Sequence, residues 1–278
     1  MTSVVPPRDE QNFVSFSARR SSIRREVCRA LLVLAALACG ESPTAPVPIA
    51  PTTPTRVLAR VNCVADTRAH QVTCAASDSG AAFTRNGSPQ VLGDLIVGGQ
   101  GQFITLTSSS VTYTGDVFSF NTTVQNLIGQ KLGTLDGVSL DPTGVRVFFE
   151  DLPHATSGSG TIDFTNPVGG TSLVDGYGDF TATNQPYYQY NQIIATGQTS
   201  LAKNWRMHIP ATVGTFIFSV YVSAPVQYPN GWIDVTPATK SLKTGDTQQL
   251  TATVRDVVGR TVTGQTVTWA SGNTGVAT

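Results

Sequence analysis

The segment "GTFIFSVYVSAP", residues 214–225, sets Phe216, Phe218, Val220 and Val222 two positions apart. In an extended chain successive side chains point to opposite faces, so these four share one face, and their aromatic and β-branched character favours a strand. Segments of the same kind precede it: "VLGDLIVG" from 91, "GQFITLTSSSVTYTG" from 101, "VFSFNTTVQNLIG" from 117, "GVRVFFEDL" from 144, "GTIDFTN" from 160, "GDFTATN" from 178, "YYQYNQIIA" from 187 and "NWRMHIPA" from 204. Each alternates between glycine, asparagine or proline punctuation, and no convincing helix reads after residue 40. Short strands without intervening helices predict an all-β chain, an antiparallel β-sandwich over residues 56–227 that is long enough to bury one core.

Composition agrees with that class. The 278 residues hold 26 glycines and 12 phenylalanines, and only 13% are charged. From Cys39 onward, 12 basic residues stand against 15 acidic ones. That balance argues against nucleic acid as a partner, which needs a basic surface.

In "RVNCVADTRAHQVTCAA", residues 60–76, two β-prone arms flank a polar centre. Folding the chain about Thr67 to Ala69 with a four-residue loop sets Cys63 opposite Cys74, and opposed residues of an antiparallel ladder lie within disulfide reach. The spacing predicts a hairpin disulfide in an oxidising compartment, two buried thiols being the alternative. A zinc site would need more ligands than His70 adds.

The N-terminus reads as an export signal, residues 1–38. Arg19, Arg20, Arg24, Arg25 and Arg29 precede an apolar run from Ala30 to Ala38, too short to span a bilayer, which takes roughly twenty residues. Ala36-Leu37-Ala38 is a small-x-small cleavage site, and with Cys39 it also resembles the lipobox of bacterial lipoproteins. That resemblance implies a lipid on Cys39 and attachment to a membrane of the cell envelope. The ordinary reading is a cysteine beside a plain cut. Residues 39–55 carry Pro43, Pro46, Pro48, Pro51 and Pro54, which hold the backbone in an extended, semi-rigid stalk at about 3.1 Å per residue.

At the other end, Val235-Thr236-Pro237, then Gly245-Asp246-Thr247-Gln248-Gln249-Leu250-Thr251-Ala252, then Val267-Thr268-Trp269 with Ser271, Asn273, Val276 and Ala277 follow in order. This series, within residues 231–278, resembles the bacterial Ig-like group 2 domain, the module of intimin and invasin type surface proteins. The resemblance implies an incomplete Ig-like β-sandwich: Leu250, Ala252 and Val254 on a core-facing strand, a turn over Asp256–Gly259, and Trp269 between two sheets. It also implies further strands beyond Thr278 and a spacer role at a cell surface.

No catalytic motif emerges. There is no G-x-S-x-G, no H-E-x-x-H and no phosphate-binding glycine loop, and His70, His154 and His208 sit on unrelated segments. Asp136, Asp141, Asp175 and Asp179 lack the run of alternating oxygen ligands of a calcium loop, and Asp-Gly is first a turn. Neither metal nor cofactor is expected. The candidate ligand residues are Tyr187, Tyr188, Tyr190 and Trp205, since exposed rings stack on sugars and Gln185, Gln189 and Asn191 would bond hydroxyls. Tyr188 and Tyr190 share a strand face and read first as core. The sequence therefore predicts an exported, non-catalytic surface protein of adhesin-like or structural type with an unknown protein or glycan ligand. The alternative is a carbohydrate-binding module.

Overall fold

The computed structural model describes residues 60–76, 94–166 and 169–275. The export signal, Cys39 and the proline stalk lie outside the described residues. The described chain is all-β, with antiparallel strands and no helix. In order the strands are β1 (Val61–Asp66), β2 (Gln71–Ala76), β3 (Asp94–Val97), β4 (Ile104–Thr114), β5 (Val117–Asn126), β6 (Val145–Gly158), β7 (Gly176–Gly178), β8 (Gln185–Tyr190), β9 (Lys203–His208), β10 (Val213–Pro225), β11 (Trp232–Thr236) and β12 (Thr251–Arg255).

The segment at 214–225 is the organising strand. β10 pairs β6 along one edge, and its other edge is shared end to end by β1 and β3: Val61 sits opposite Val220, and Val97 opposite Val222. β2 extends the sheet beyond β1, and β8 and β7 extend it beyond β6, giving seven strands. A second sheet has the order β4-β5-β9. The turn between β4 and β5 is Gly115-Asp116, both with positive φ, the two-residue hairpin loop whose twist matches its strands.

The two sheets meet through the expected faces. Phe216 and Phe218 of β10 contact Phe118 and Phe120 of β5, with ring centroids 5.4 and 6.5 Å apart. Ile104, Leu106, Val124, Val147, Val220 and Val222 fill the same layer, all buried. Removing each such side chain from water contributes about 1.5–3 kcal/mol. Alternation is what selects them: along β5 every second residue is buried, and those between face solvent.

β6 departs from that rule. Phe149 pairs with Val220 and Asp151 with Ser219, so Glu150 is an extra residue with no partner on β10, a β-bulge. A second irregularity follows between Asp151 and His154 and accommodates Pro153, which has no N–H to give to a ladder. The strand thus runs through Pro153 to Gly158, past the point where its alternation fades.

The described residues between 60 and 265 form one compact unit. β11 and β12 make a two-stranded ribbon, with Val235 opposite Ala252. The turn expected at Asp256–Gly259 is present, its Gly259 N–H donating to Asp256 O at 2.9 Å. It docks on the sandwich: Gly129 N–H donates to Val258 O at 2.9 Å, Gln130 Nε2 donates to Val257 O at 2.6 Å, and Val257 and Val258 are buried. The expected packing of Trp269 between sheets is not found. Trp269, which lies outside that unit, is 53% exposed and Leu250 40%; β11 and β12 pair only with each other among the described residues, and two strands are too few to enclose a ring.

Candidate functional site

Cys63 and Cys74 face each other in the β1–β2 ladder and are joined by a disulfide, with their Cα atoms 4.1 Å apart. The four-residue loop is shaped by Asp66, whose carboxylate accepts the N–H groups of Arg68 and Ala69, both at 2.8 Å.

The aromatic candidates divide between two faces of β8. Tyr188 and Tyr190 point inward with Trp205 and are 1%, 3% and 1% exposed. Tyr188 stacks on Trp205 with centroids 4.7 Å apart and planes 11° apart. Its hydroxyl donates to Arg206 O at 2.6 Å and accepts Arg206 N–H at 2.9 Å. The Tyr190 hydroxyl donates to Thr122 O at 3.0 Å and receives Trp205 Nε1–H at 3.2 Å. Burial pushes both tyrosine hydroxyls far above their ordinary pKa. The expected sugar platform is corrected accordingly: these three rings are core, joining the two sheets, and offer no face to a ligand.

Tyr187 points outward but is half covered. The Arg146 guanidinium lies 4.9 Å from its ring centroid, and Phe180 meets it edge-on at 5.7 Å. Its hydroxyl end occupies space left open by Gly176, where a Cβ would come within 2.6 Å of it. Gln189 and Asn191 are hydrogen-bonded to each other at 2.6 Å, and Gln189 accepts from Arg146 Nε at 3.0 Å.

The aspartates form turns. Asp136 accepts N–H from Val138 and Ser139 and the hydroxyl of Thr134, Asp141 accepts from Thr143, and Asp179 accepts from Asn184 N–H. Among the described residues no group of three His, Cys, Asp or Glu side chains could hold a metal ion. His70 takes positive φ in the first hairpin, His154 is exposed, and His208 Nδ1 lies 3.6 Å from Asp163.

These turns make stability depend on acid. The Ser139 and Val138 N–H groups hold the Asp136 carboxyl well below the usual carboxylate range, and the Ala69 and Arg68 N–H groups lower that of Asp66. A depressed carboxyl stabilises the fold above its unfolded pKa, and that contribution is lost as pH falls through the folded value. Asp94, raised by desolvation, acts in the opposite direction. Thermal melts should therefore fall below about pH 4. Asp136→Asn should melt lower than the wild type at pH 7, and the difference should narrow steadily as pH falls from about 4 to 2; a constant difference would refute the assignment.

One dense polar network among the described residues was not legible as a motif. It lies on the outer face of the seven-stranded sheet, where the bulge turns Glu150 toward the loop after β7. The Glu150 side chain is only 10% exposed. Its Oε2 accepts a short hydrogen bond from the Thr181 hydroxyl and lies 3.4 Å from Gln185 Nε2; its Oε1 is 3.7 Å from Arg60 Nη2. Arg60 Nη1 donates to Asp151 Oδ2 at 2.6 Å, and the Ser219 hydroxyl donates to the same oxygen at 2.6 Å. Gln185 is buried, and its carboxamide oxygen accepts N–H from Thr181 and Ala182 at 2.8 and 2.9 Å. The chain matches no family model, no curated protein and no solved structure.

Proposed function

We propose that this chain is an exported, non-catalytic protein of the bacterial cell envelope, held at a membrane by a lipid on Cys39 and displaying its sandwich on the proline stalk. The observation that carries the reading is the Cys63–Cys74 disulfide, set in register by the first hairpin. Disulfides persist in oxidising compartments and are rare where thiols are kept reduced. The β11–β12 ribbon supports a displayed role, since its Val235–Ala252 pairing brings together two segments that resemble a bacterial Ig-like group 2 domain. An adhesin-like or structural part in the envelope follows, with a protein or glycan as the partner.

The experiment expresses the full chain in bacteria, fractionates the cells and measures intact mass. The expected product is in the envelope fraction, begins at Cys39, carries added acyl mass, and resists alkylation at Cys63 and Cys74 until reduced. A cytoplasmic product whose thiols alkylate without reduction overturns the export reading, and an envelope product with unmodified Cys39 overturns the anchor.

A further inference from the structure

We infer that Gln100 plugs the free edge of β4, and that without it this edge pairs with the same strand of a second copy of the chain.

β4 ends the three-stranded sheet, with β5 on one side and no strand of the described residues on the other. A strand in that place presents a row of N–H and C=O groups with which another extended chain can pair. Alternate residues of a strand aim these groups at the same edge. Leu106 aims outward, because both of its backbone groups meet the Gln100 side chain: Leu106 N–H donates to Gln100 Oε1 and Gln100 Nε2 donates to Leu106 O, each at 2.8 Å. One carboxamide thus exchanges the pair of bonds that an opposing residue of a neighbouring strand would exchange. A side chain stands where a strand would stand.

The turn before β4 holds the plug in place. In "VGGQGQF", residues 97–103, Gly99 and Gly101 flank Gln100 with φ of 76° and 74°, backbone that glycine adopts without steric cost. Gln102 N–H and Phe103 N–H both donate to Gly99 O, at 2.9 and 3.1 Å, and Gly101 N–H donates to Ile104 O at 2.8 Å. The turn therefore lies against the first residue of β4 and sends the Gln100 side chain on to the third. The Arg260 guanidinium, 4.5 Å from the Phe103 ring centroid, rests on the same turn. Farther along the strand, Ser110 takes positive φ and the register with β5 slips between Ser109 and Thr112, a bulge that bends the edge away. Between plug and bulge, Ser108 keeps the outward aim of Leu106.

The strand itself favours its own copy as the occupant. Ile104–Thr114 contains no charged residue and no proline, the features by which exposed edges commonly turn other strands away. An antiparallel pairing about a two-fold axis at Thr107 sets Leu106 of each copy against Ser108 of the other and brings the two Thr107 side chains together. Thr107 and Ser109 are exposed, and no like charges meet across the axis, while opposed hydroxyl side chains favour such a pair. Gln100 occupies the groups of Leu106 that this pairing needs.

Sedimentation velocity on the purified full chain tests this, with Cys39→Ser in every sample so that no lipid contributes to association. The chain with Gln100 intact is expected to sediment as one copy. Gln100→Ala and Gln100→Ser, both too short to reach Leu106, are expected to double the mass at the same concentration. Adding Ser108→Pro, which removes an outward N–H that the β4–β5 ladder does not use, should return Gln100→Ala to one copy. Circular dichroism melts establish that each sample is folded. Folded single copies of Gln100→Ala and Gln100→Ser overturn the inference, because the bared edge then does not pair. A doubled mass with Gln100 intact overturns its role as a plug, and a doubled mass that survives Ser108→Pro overturns the assignment of the contact to β4.

Discussion

Replacing Trp205 with alanine is expected to lower the free energy of unfolding by about 3–5 kcal/mol, the range for removing a large aromatic from a packed core. Trp205 comes from the β4-β5-β9 sheet and reaches into the other, where it stacks on Tyr188 and lies 5.8 Å from Phe149; within its own sheet it meets Phe120 at 5.7 Å. Its loss opens a cavity between the sheets and leaves the Tyr190 hydroxyl without its indole donor. Tyr187→Ala, on the outer face of β8, should cost less, about 1 kcal/mol, because that ring is only partly buried. Urea titrations of the two variants measure the contrast. Comparable losses would show that the two faces of β8 are not divided into core and surface as described.

Reduction of the Cys63–Cys74 disulfide is the second large effect. The bond closes a short loop, its cysteines 11 positions apart in sequence, and loops of this size restrict the unfolded chain by about 2–3 kcal/mol. The hairpin it closes pairs with β10 along six residues, so loosening it frees an edge of the main sheet. For a domain of this size the loss corresponds to a fall in melting temperature of roughly 5–10 °C. Calorimetry with and without dithiothreitol tests this, with alkylation confirming that both thiols were released. Coincident melts would show that the hairpin holds its place by ladder and core contacts alone.

What could be read in advance follows from where local pattern decides structure. Phe216 to Val222, the two arms around Asp66 and the alternation of β5 each announce their strand because one face is buried and the other wet. The same alternation put Tyr188 and Tyr190 on one face but could not say that this face looks toward Trp205, which is set by how one sheet lies on the other. β6 hid its length for a different reason. Its bulge at Glu150 and its proline at 153 break the period of two that marks a strand. The Thr181–Gln185–Glu150 network was invisible since its carboxylate comes from a distant strand and depends on that bulge; only the pair of acids after "VRVFF" and a proline hinted at an irregular strand. At the C-terminal end the motif order placed a turn correctly but not Trp269, whose burial requires a layer that a ribbon does not provide.

The place of β10 in the seven-stranded sheet sets an order of assembly. Val61 finds Val220 only when the chain has been made almost to the end of the sandwich, and β3 and β6 depend on the same late strand. Until then β1 and β4 have local hairpin partners in β2 and β5, β3 has none, and contacts so distant in sequence close slowly. A sandwich of this design can close its main sheet only after nearly all of it has been synthesised.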